Sequence, residues 1–428
     1  MASFVRHEPV CPEVLIVGAG IGGLTAALSL HAAGVPVRVV DVARELTPLG
    51  VGINLQPQAV RELSELGLGD ALATLGVSID QAIHYDRHGN LIWAEPRGVA
   101  AGYHWGQYAV HRGELQMMLL QAVLTRLGTD AVAPGLGFED YQPIPGGVAV
   151  RLRDRNTGQL VRRSVTALIG ADGLHSAVRA RLHPHEGPPL DNGIRMWRGT
   201  VLCEPFLTGS TMVVAGCNTY SKFVAYPVSP VRDGLVLVNW VAESRLVDGD
   251  LAADWNARGR LDDVLPRFAD WTFDWLDVPT LIKGSTQILE YPMVDRDPLP
   301  WWGTGRVTLL GDAAHPMYPI GSNGGSQAII DARVLAYHLA TAPDPVTGLA
   351  RYESERREPA NAVLLANRQM GPERILRTVA DRAPDGFVRI EDVLSAEELA
   401  DIGAAYRRTS THDAELVNTR PSWSIPTA

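Results

Sequence analysis

The chain has 428 residues, of which 46% are hydrophobic and 20% charged. Since a domain usually contains roughly 100–200 residues, this length predicts two or three domains, and the apolar fraction excludes a disordered or fibrous protein. The 38 basic and 48 acidic side chains give a net charge of −10, which argues against a general affinity for nucleic acid.

We expect neither a membrane span nor a secretory leader. No uninterrupted apolar run approaches the roughly 18–20 residues of a membrane helix, and the N-terminal MASFVRHEPVCPE lacks an apolar leader core. The three cysteines, Cys11, Cys203 and Cys217, have no metal-knuckle spacing and suit no disulfide framework. These observations predict a cytoplasmic protein with free thiols and no bound metal.

The first motif lies between two predicted strands, residues 14–17 and 35–40, around a predicted helix at 24–33. Such a strand–helix–strand unit with a GxGxxG turn predicts dinucleotide binding, because the helix N-terminus offers N–H donors to phosphates. Asp41 ends the second strand, where a carboxylate can accept hydrogen bonds from a ribose diol. The motif does not separate NAD from FAD, and its turn comprises Gly18, Gly20, Ile21, Gly22 and Gly23.

Two further motifs follow predicted strands. The sequence Gly-Ala-Asp-Gly at 170–173 opens a helix, and Asp172 is either a ligand contact or the cap of that helix. Gly311 and Asp312 end a later strand and lead into a Gly/Pro-rich loop that is either a ligand cradle or a plain turn. In a cradle, Pro319, Gly324 and Gly325 would help to present backbone N–H groups to a ring system or an anion.

The three motifs in this order resemble the single-component FAD-dependent aromatic hydroxylases, the p-hydroxybenzoate hydroxylase-like monooxygenases, over residues 14 to about 370. The resemblance implies that the glycine turn and Asp41 bind the adenosine end of FAD, and that Asp312 touches the ribityl chain. It implies that Asp172 serves both FAD and a transient reduced nicotinamide. It further implies FAD contacts from Arg112 and Gln116, which lie four apart on one helix face.

A narrower resemblance is to phenazine-pathway 5-methylphenazine-1-carboxylate monooxygenases. The similar segments are 48–54, 111–117, 196–199, 225–227 and 291–297. Both this chain and those enzymes depart from the wider family at 322–328. The resemblance implies NADH or NADPH as donor, O₂, and hydroxylation of a planar aromatic ring through a C4a-hydroperoxyflavin. The resemblance also implies decarboxylation of a phenazine-carboxylate-like acid.

Substrate-wall candidates come from the strand-rich segment and the loop after the third motif. Trp197 and Tyr226 are candidates for stacking on a flat ring, and Arg198 for binding a carboxylate; ordinary strand packing is the alternative for each. His315 and Pro316 are expected to border the flavin ring. His315 is the candidate catalytic residue, with a structural role as its alternative, and no general base is identified.

The predicted fold is α/β (α+β overall): a Rossmann-like FAD-binding domain interrupted by a mostly antiparallel β-sheet substrate domain, with a C-terminal helical tail. The FAD-binding domain is expected at 1–78, 107–183 and 284–372, the substrate domain at 79–106 and 184–283, and the tail at 373–428. The expected partner is a small aromatic substrate, and the chain is a monomer or a homodimer. A flavin oxidase or reductase, or a non-catalytic flavin-binding protein, remains an open alternative on this scaffold.

Overall fold

The computed structural model describes residues 9–245, 258–369, 371–400 and 413–425. The described strands are β1 (Cys11–Val17), β2 (Val37–Asp41), β3 (Gly52–Leu55), β4 (Val77–Ile79), β5 (Gln81–Tyr85), β6 (Leu91–Pro96), β7 (Gln107–His111), β8 (Val132–Pro134), β9 (Leu136–Ile144), β10 (Gly147–Asp154), β11 (Leu160–Gly170), β12 (Leu190–Cys203), β13 (Thr211–Cys217), β14 (Ser221–Pro227), β15 (Val236–Arg245), β16 (Thr272–Phe273), β17 (Leu276–Asp277), β18 (Ile288–Asp295) and β19 (Val307–Leu309).

The described helices are α1 (Ile21–Ala32), α2 (Pro57–Glu65), α3 (Gly69–Leu75), α4 (Arg112–Leu127), α5 (Ala177–Leu182), α6 (Leu261–Val264), α7 (Val278–Lys283), α8 (Gly324–Thr341), α9 (Pro345–Arg368), α10 (Gly371–Arg382) and α11 (Ala414–Thr419). Within the described ranges, no helix combines the length and apolar character that a bilayer span requires.

The first sheet carries the predicted nucleotide-binding unit. Its order is β8-β2-β1-β11-β10-β9, with β19 also paired to β11, and the pairs β2–β8, β1–β2, β1–β11 and β11–β19 are parallel. Residues 14–17 of β1 are apolar and buried, and the largest hydrophobic cluster joins them to α1, α4 and α8. The mixed α/β fold predicted from the motif order is confirmed, and the carboxyl ends of β1, β11 and β19 bring all three motifs to one sheet edge.

The second sheet has the order β18-β12-β15-β14-β13-β5-β6 and is antiparallel except for the β13–β5 pair. Strands β5 and β6 come from the segment 79–106, and β12 to β15 from 184–283. Strand β18 also pairs with β12, although it lies in the range 284–372 that was predicted for the other domain. A smaller sheet has the order β3-β7-β4; in sequence, β3 and β4 precede β5 and β6, and β7 follows them.

Side chains alternate across the second sheet, and the alternation decides which of them face a cavity. On β12, Met196 and Arg198 line the cavity, whereas Trp197 packs on the opposite face in a cluster that includes Trp240 and Phe268. Trp197 is only 2% exposed. The prediction of Trp197 as a substrate wall is therefore wrong, because the register of β12 turns its ring away from the pocket.

The C-terminal segment packs on both parts of the fold. Helix α10 places Ile375, Leu376 and Val379 in a hydrophobic cluster with Val214 of β13. Further on, Arg61 of α2 donates hydrogen bonds to the carbonyls of Val417 and Arg420. The segment predicted as a tail thus reaches the second sheet through α10.

Candidate functional site

The glycine turn after β1 is shaped by close backbone packing. Gly18 has φ +110°, and a Cβ there would collide with the carbonyl oxygen of Ala171. A Cβ at Gly23 would collide with the carbonyl of Gly18. A Cβ at Gly20 would meet nothing within 4 Å. Gly18 and Gly23 therefore serve packing, whereas Gly20 faces an open cleft.

Asp41 and Gln116 both hold this turn. The Asp41 carboxylate accepts hydrogen bonds from the backbone N–H of Ala19 and of Ala43, each at 2.7 Å. Gln116 Nε2 donates to the carbonyl of Ala19 at 2.8 Å. These contacts stabilise the loop from two sides, and direct contact of either side chain with FAD stays a prediction.

The second motif is tied to the third by Arg179. Asp172 accepts hydrogen bonds from Ser176 Oγ at 2.5 Å and from the backbone N–H of Ala177 at 2.7 Å, so it caps the start of α5. Arg179 of α5, only 1% exposed, donates to the carbonyls of Ala313 and Ala314 at 3.0 and 2.8 Å. Asp172 therefore acts as a helix cap, and its neighbours Ala171 and Gly173 line the cleft, while contact of Asp172 itself with FAD or nicotinamide stays a prediction.

The turn at Gly311 and Asp312 rests on a buried polar cluster. The Asp331 carboxylate accepts hydrogen bonds from the Gly311 N–H at 3.1 Å and from Arg356 Nε at 2.7 Å, and it contacts His315 Nε2 at 2.6 Å. His315 and Pro316 are buried and line neither cavity of the site. The candidate roles of His315 in catalysis and of Pro316 in the substrate wall are not supported by this placement, since both lie beneath the turn.

Nine of the predicted FAD contacts line one cleft at the edge of the first sheet. They are Gly20, Ile21, Gly22, Arg112, Gly311, Asp312, Pro319, Gly324 and Gly325. Helices α1 and α8 both begin at this cleft, and neither has a side-chain cap on its first N–H groups. Free N–H donors at two helix ends, an arginine and an open glycine fit the anionic and ring portions of FAD.

A second pocket opens from this cleft onto the inner face of the second sheet. The two share Asn54, Arg198, Tyr226, Pro319 and Ser322 as a common wall. A molecule in the pocket would therefore lie against whatever occupies the end of the cleft that adjoins this wall. The sequence predicted Arg198 and Tyr226 here, and the structure places both in the shared wall.

The shared wall is organised around the backbone of Gly52. Arg198 Nη2 and the Tyr226 hydroxyl donate to the Gly52 carbonyl at 2.6 and 3.0 Å, and the Gly52 N–H donates to Asn239 Oδ1 at 2.7 Å. Burial raises the pKa of Tyr226, against the opposing effect of Arg198, so the hydroxyl stays protonated. Asn54 Oδ1 and Arg198 Nε, which line both the cleft and the pocket, are buried without a hydrogen-bond partner among the described residues. These atoms are available to a bound ligand.

The far end of the pocket holds charged side chains that sequence reasoning missed. Lys222 Nζ contacts Glu243 Oε2 at 3.0 Å and also pairs with Glu373 of α10. Burial alone would lower the pKa of Lys222, but the two glutamates together hold it above its ordinary value. His84 and Arg97 line the same end. A usable signal was present, because Lys222 is one of only two lysines among 38 basic residues and shares a strand face with Tyr226.

The chain matches one protein family and is similar to several named enzymes. The profile of the FAD binding domain family matches residues 12–192 and 289–366. The chain is 50% identical over 401 residues to the phenazine 1,6-dicarboxylic acid hydroxylase PhzS of Lysobacter antibioticus, covering 92% of this chain and 96% of that protein. It is 34% identical to an aurachin C monooxygenase/isomerase of Stigmatella aurantiaca, covering 84% and 88%.

Solved structures agree in fold. HpxO of Klebsiella pneumoniae, complexed with FAD and uric acid, superposes with a TM-score of 0.69 at 24% identity, covering 95% of each chain. The 2,6-dihydroxypyridine-3-hydroxylase of Arthrobacter nicotinovorans gives a TM-score of 0.68 at 22% identity, covering 85% of this chain and 93% of that one. At these identities the likeness supports the fold.

Proposed function

Because the chain belongs to the FAD binding domain family and is an FAD-dependent aromatic hydroxylase, we propose that its substrate is a phenazine carboxylic acid. FAD is the cofactor, and reduced nicotinamide and O₂ are consumed. The prediction of an FAD-dependent aromatic hydroxylase is thereby confirmed. The substrate ring, the loss of its carboxyl group and the choice of NADH or NADPH are the parts that are proposed.

The observation that carries the substrate proposal is the wall shared by the cleft and the pocket. Its polar members are Asn54, Arg198, Tyr226 and Ser322, and the adjoining pocket is lined by Met196, Val224 and Val241. A flat apolar ring fits between such residues, and an arginine at its edge suits a ring carboxylate. The 50% identity to a phenazine dicarboxylic acid hydroxylase supports the same ring class.

When bound, FAD supplies the redox chemistry, accepting hydride from reduced nicotinamide and activating O₂. The residues of this chain provide position and environment. Arg198 holds the ring carboxylate, while Tyr226 and Asn239 keep the Gly52 backbone in place beneath it. The apolar side chains of β14 and β15 exclude water from the reacting ring. The contact with Arg198 orients the carbon that bears the carboxylate toward the end of the cleft that adjoins the shared wall.

The proposed net reaction replaces the carboxyl group of the ring with a hydroxyl group. The acid ArCOOH, O₂, reduced nicotinamide and one proton give ArOH, CO₂, oxidised nicotinamide and water. The bond from the ring to the carboxyl carbon breaks, and a bond to one oxygen atom of O₂ forms. The nicotinamide provides the two electrons that reduce the second oxygen atom to water.

The test is product analysis under ¹⁸O₂ with the purified FAD-loaded protein, reduced nicotinamide and phenazine carboxylic acids, N-methylated and not. We expect a product in which one labelled hydroxyl replaces a carboxyl group. A labelled hydroxyl with the carboxyl retained would overturn the decarboxylation. Peroxide without a hydroxylated product would overturn the phenazine substrate, and a dehydrogenated unlabelled product would favour the oxidase alternative.

The proposal also includes a cytoplasmic location and a monomer or homodimer. The cysteines at 11, 203 and 217 are all unpaired, as suits a reducing compartment. Size-exclusion chromatography with light scattering measures the oligomeric state, and cell fractionation measures the location. An assembly larger than a dimer would contradict the proposed oligomeric state. Recovery outside the cytoplasm would contradict the proposed location.

A further inference from the structure

We propose that the far end of the pocket, formed by His84, Arg97, Lys222 and Glu373, binds a second carboxyl group of the substrate. The enzyme would then prefer an aromatic acid with carboxyl groups at opposite ends over the corresponding monocarboxylic acid. This inference rests on the proposed function and identifies the residues that bind the second carboxyl group.

The inner face of β14 has two polar ends separated by apolar side chains. Lys222, Val224 and Tyr226 follow one another on this face, and all three line the pocket. On β15, Glu243 lies opposite Lys222 and Asn239 lies opposite Tyr226. Four residues of strand span roughly 13 Å. A three-ring aromatic system with a polar group at each end fits this spacing.

The near end and the far end differ in their partners. The near end contains Arg198 and Tyr226 and belongs to the wall shared with the FAD cleft. The far end lies on the other side of the apolar stretch and does not line that cleft. A carboxyl group there is remote from the reacting carbon, so these residues determine specificity and take no part in the chemistry.

The far end is a built site within the protein. His84, Lys222 and Glu373 are 2, 4 and 6% exposed, and all line the pocket. They come from β5, β14 and α10, and Arg97 follows β6. His84 Nδ1, Arg97 Nε and Glu373 Oε2 are buried with no hydrogen-bond partner among the described residues. Buried polar atoms of this kind normally have partners, so a ligand is expected to supply them.

Two buried glutamates beside Lys222 determine how a carboxylate could bind here. With both glutamates ionised, their two negative charges outweigh the single charge of Lys222, and Arg97 is already paired with Glu95, so an anion would be repelled. Burial and the neighbouring Glu243 raise the pKa of Glu373, against the opposing effect of Lys222. A protonated Glu373 donates a hydrogen bond from its free oxygen to the ligand carboxylate, and Lys222 supplies a further N–H. Binding of the second carboxylate therefore favours the protonated form of Glu373.

The other groups facing Glu373 are consistent with this arrangement. Lys222 and Glu243 come from β14 and β15, and Cys217 and the Asn218 backbone N–H come from the end of β13. Burial, followed by the charges of Arg97 and Lys222, holds the pKa of His84 well below its ordinary value. A neutral His84 can donate or accept at Nδ1. Glu373 is therefore the group at this end whose ionisation opposes a ligand carboxylate as the pH rises.

The experiment compares kcat/KM for phenazine-1,6-dicarboxylic acid and phenazine-1-carboxylic acid across pH, using the FAD-loaded full chain. The wild type is expected to prefer the diacid roughly tenfold or more, the effect of one charge-assisted hydrogen bond, and to lose this preference as the pH rises. Glu373→Gln keeps an N–H donor, so it should keep the preference and remove its pH dependence. Glu373→Ala removes both the donor and the titrating group, so it should lower the preference roughly tenfold at low pH and leave it independent of pH.

Glu391→Gln is the matched control, because it makes the same change on an exposed side chain of the C-terminal segment. It should behave as wild type. An equal diacid-to-monoacid ratio in wild type, Glu373→Gln and Glu373→Ala would overturn the inference alone, as would a wild type that prefers the monoacid. If neither acid binds or is hydroxylated, the proposed function and this inference fail together.

Discussion

His315 Nε2 lies 2.6 Å from Oδ2 of Asp331, and neither side chain reaches solvent. The same carboxylate accepts hydrogen bonds from Arg356 and from the backbone of Gly311. Burial alone would raise the pKa of Asp331, but His315 and Arg356 hold it below its ordinary value. The pair therefore positions the turn that carries Asp312 into the cleft.

Asp331→Asn should lower the free energy of unfolding by about 3 kcal/mol and weaken FAD binding, because it removes the buried charge paired with Arg356. A lowered carboxyl pKa contributes stability above the ordinary pKa and loses it as the pH falls through the folded value. Urea unfolding should therefore show less acid sensitivity in the variant than in wild type. Asp262→Asn, on an exposed side chain, is the control, and equal acid sensitivity in wild type and Asp331→Asn would contradict the role.

His315→Gln tests whether His315 touches the reacting groups. Glutamine can keep the hydrogen bond to Asp331, so we expect the hydroxylation rate per bound FAD to remain within about twofold of wild type. Loss of a catalytic acid or base would cost roughly 100-fold or more. Single-turnover kinetics on FAD-saturated protein separates the two, and a large loss at full FAD occupancy would restore the catalytic assignment.

Gly20→Ala tests the FAD cradle, because a Cβ at Gly20 meets no protein atom within 4 Å. The apoprotein should keep its melting temperature, while FAD affinity falls at least roughly tenfold because the methyl group occupies space needed by the pyrophosphate. Fluorescence titration with FAD measures the affinity. Gly187→Ala also meets no atom and lies outside the cleft, so it is the control. Unchanged FAD affinity in Gly20→Ala would contradict the cradle.

Trp197→Phe and Tyr226→Phe should have opposite signatures. Trp197 packs in the core behind the sheet, so its loss of volume should cost roughly 1–3 kcal/mol of stability and leave KM unchanged. Tyr226 donates to the Gly52 carbonyl in the shared wall, so loss of its hydroxyl should lower kcat/KM roughly tenfold. Thermal unfolding and steady-state kinetics on both variants provide the comparison. A changed KM in Trp197→Phe would indicate that the Trp197 ring contacts the substrate.

Much of the FAD cleft could be predicted from the sequence because its residues sit in short local motifs. Gly20 and Gly22 follow β1 directly, and Gly311 and Asp312 follow β19, so strand order alone brings them to one edge. The same reasoning left the role of Asp172 open, and the structure shows that its carboxylate accepts a hydrogen bond from its own helix. A local motif predicts position well but does not decide which atom faces the ligand.

The far end of the pocket could not be predicted because its residues meet only in the folded chain. Lys222 and Glu373 are 151 positions apart, and His84 comes from a third strand. The prediction for Trp197 was wrong for a related reason. The strand register decides which face of the sheet a side chain lies on, and a shift of one position along β12 moves it to the opposite face. His315 lies next to the cofactor turn in sequence, yet its side chain points into the core.

The most direct test is a crystal structure of the FAD-loaded protein with phenazine-1,6-dicarboxylic acid. We expect the flavin ring in the cleft against Pro319 and Gly324, and the phenazine ring across the shared wall with one carboxylate at Arg198. The other carboxylate should lie at Lys222 and Glu373. A ligand bound outside this pocket, such as in the cavity between α10 and Trp271, would contradict this placement of the substrate.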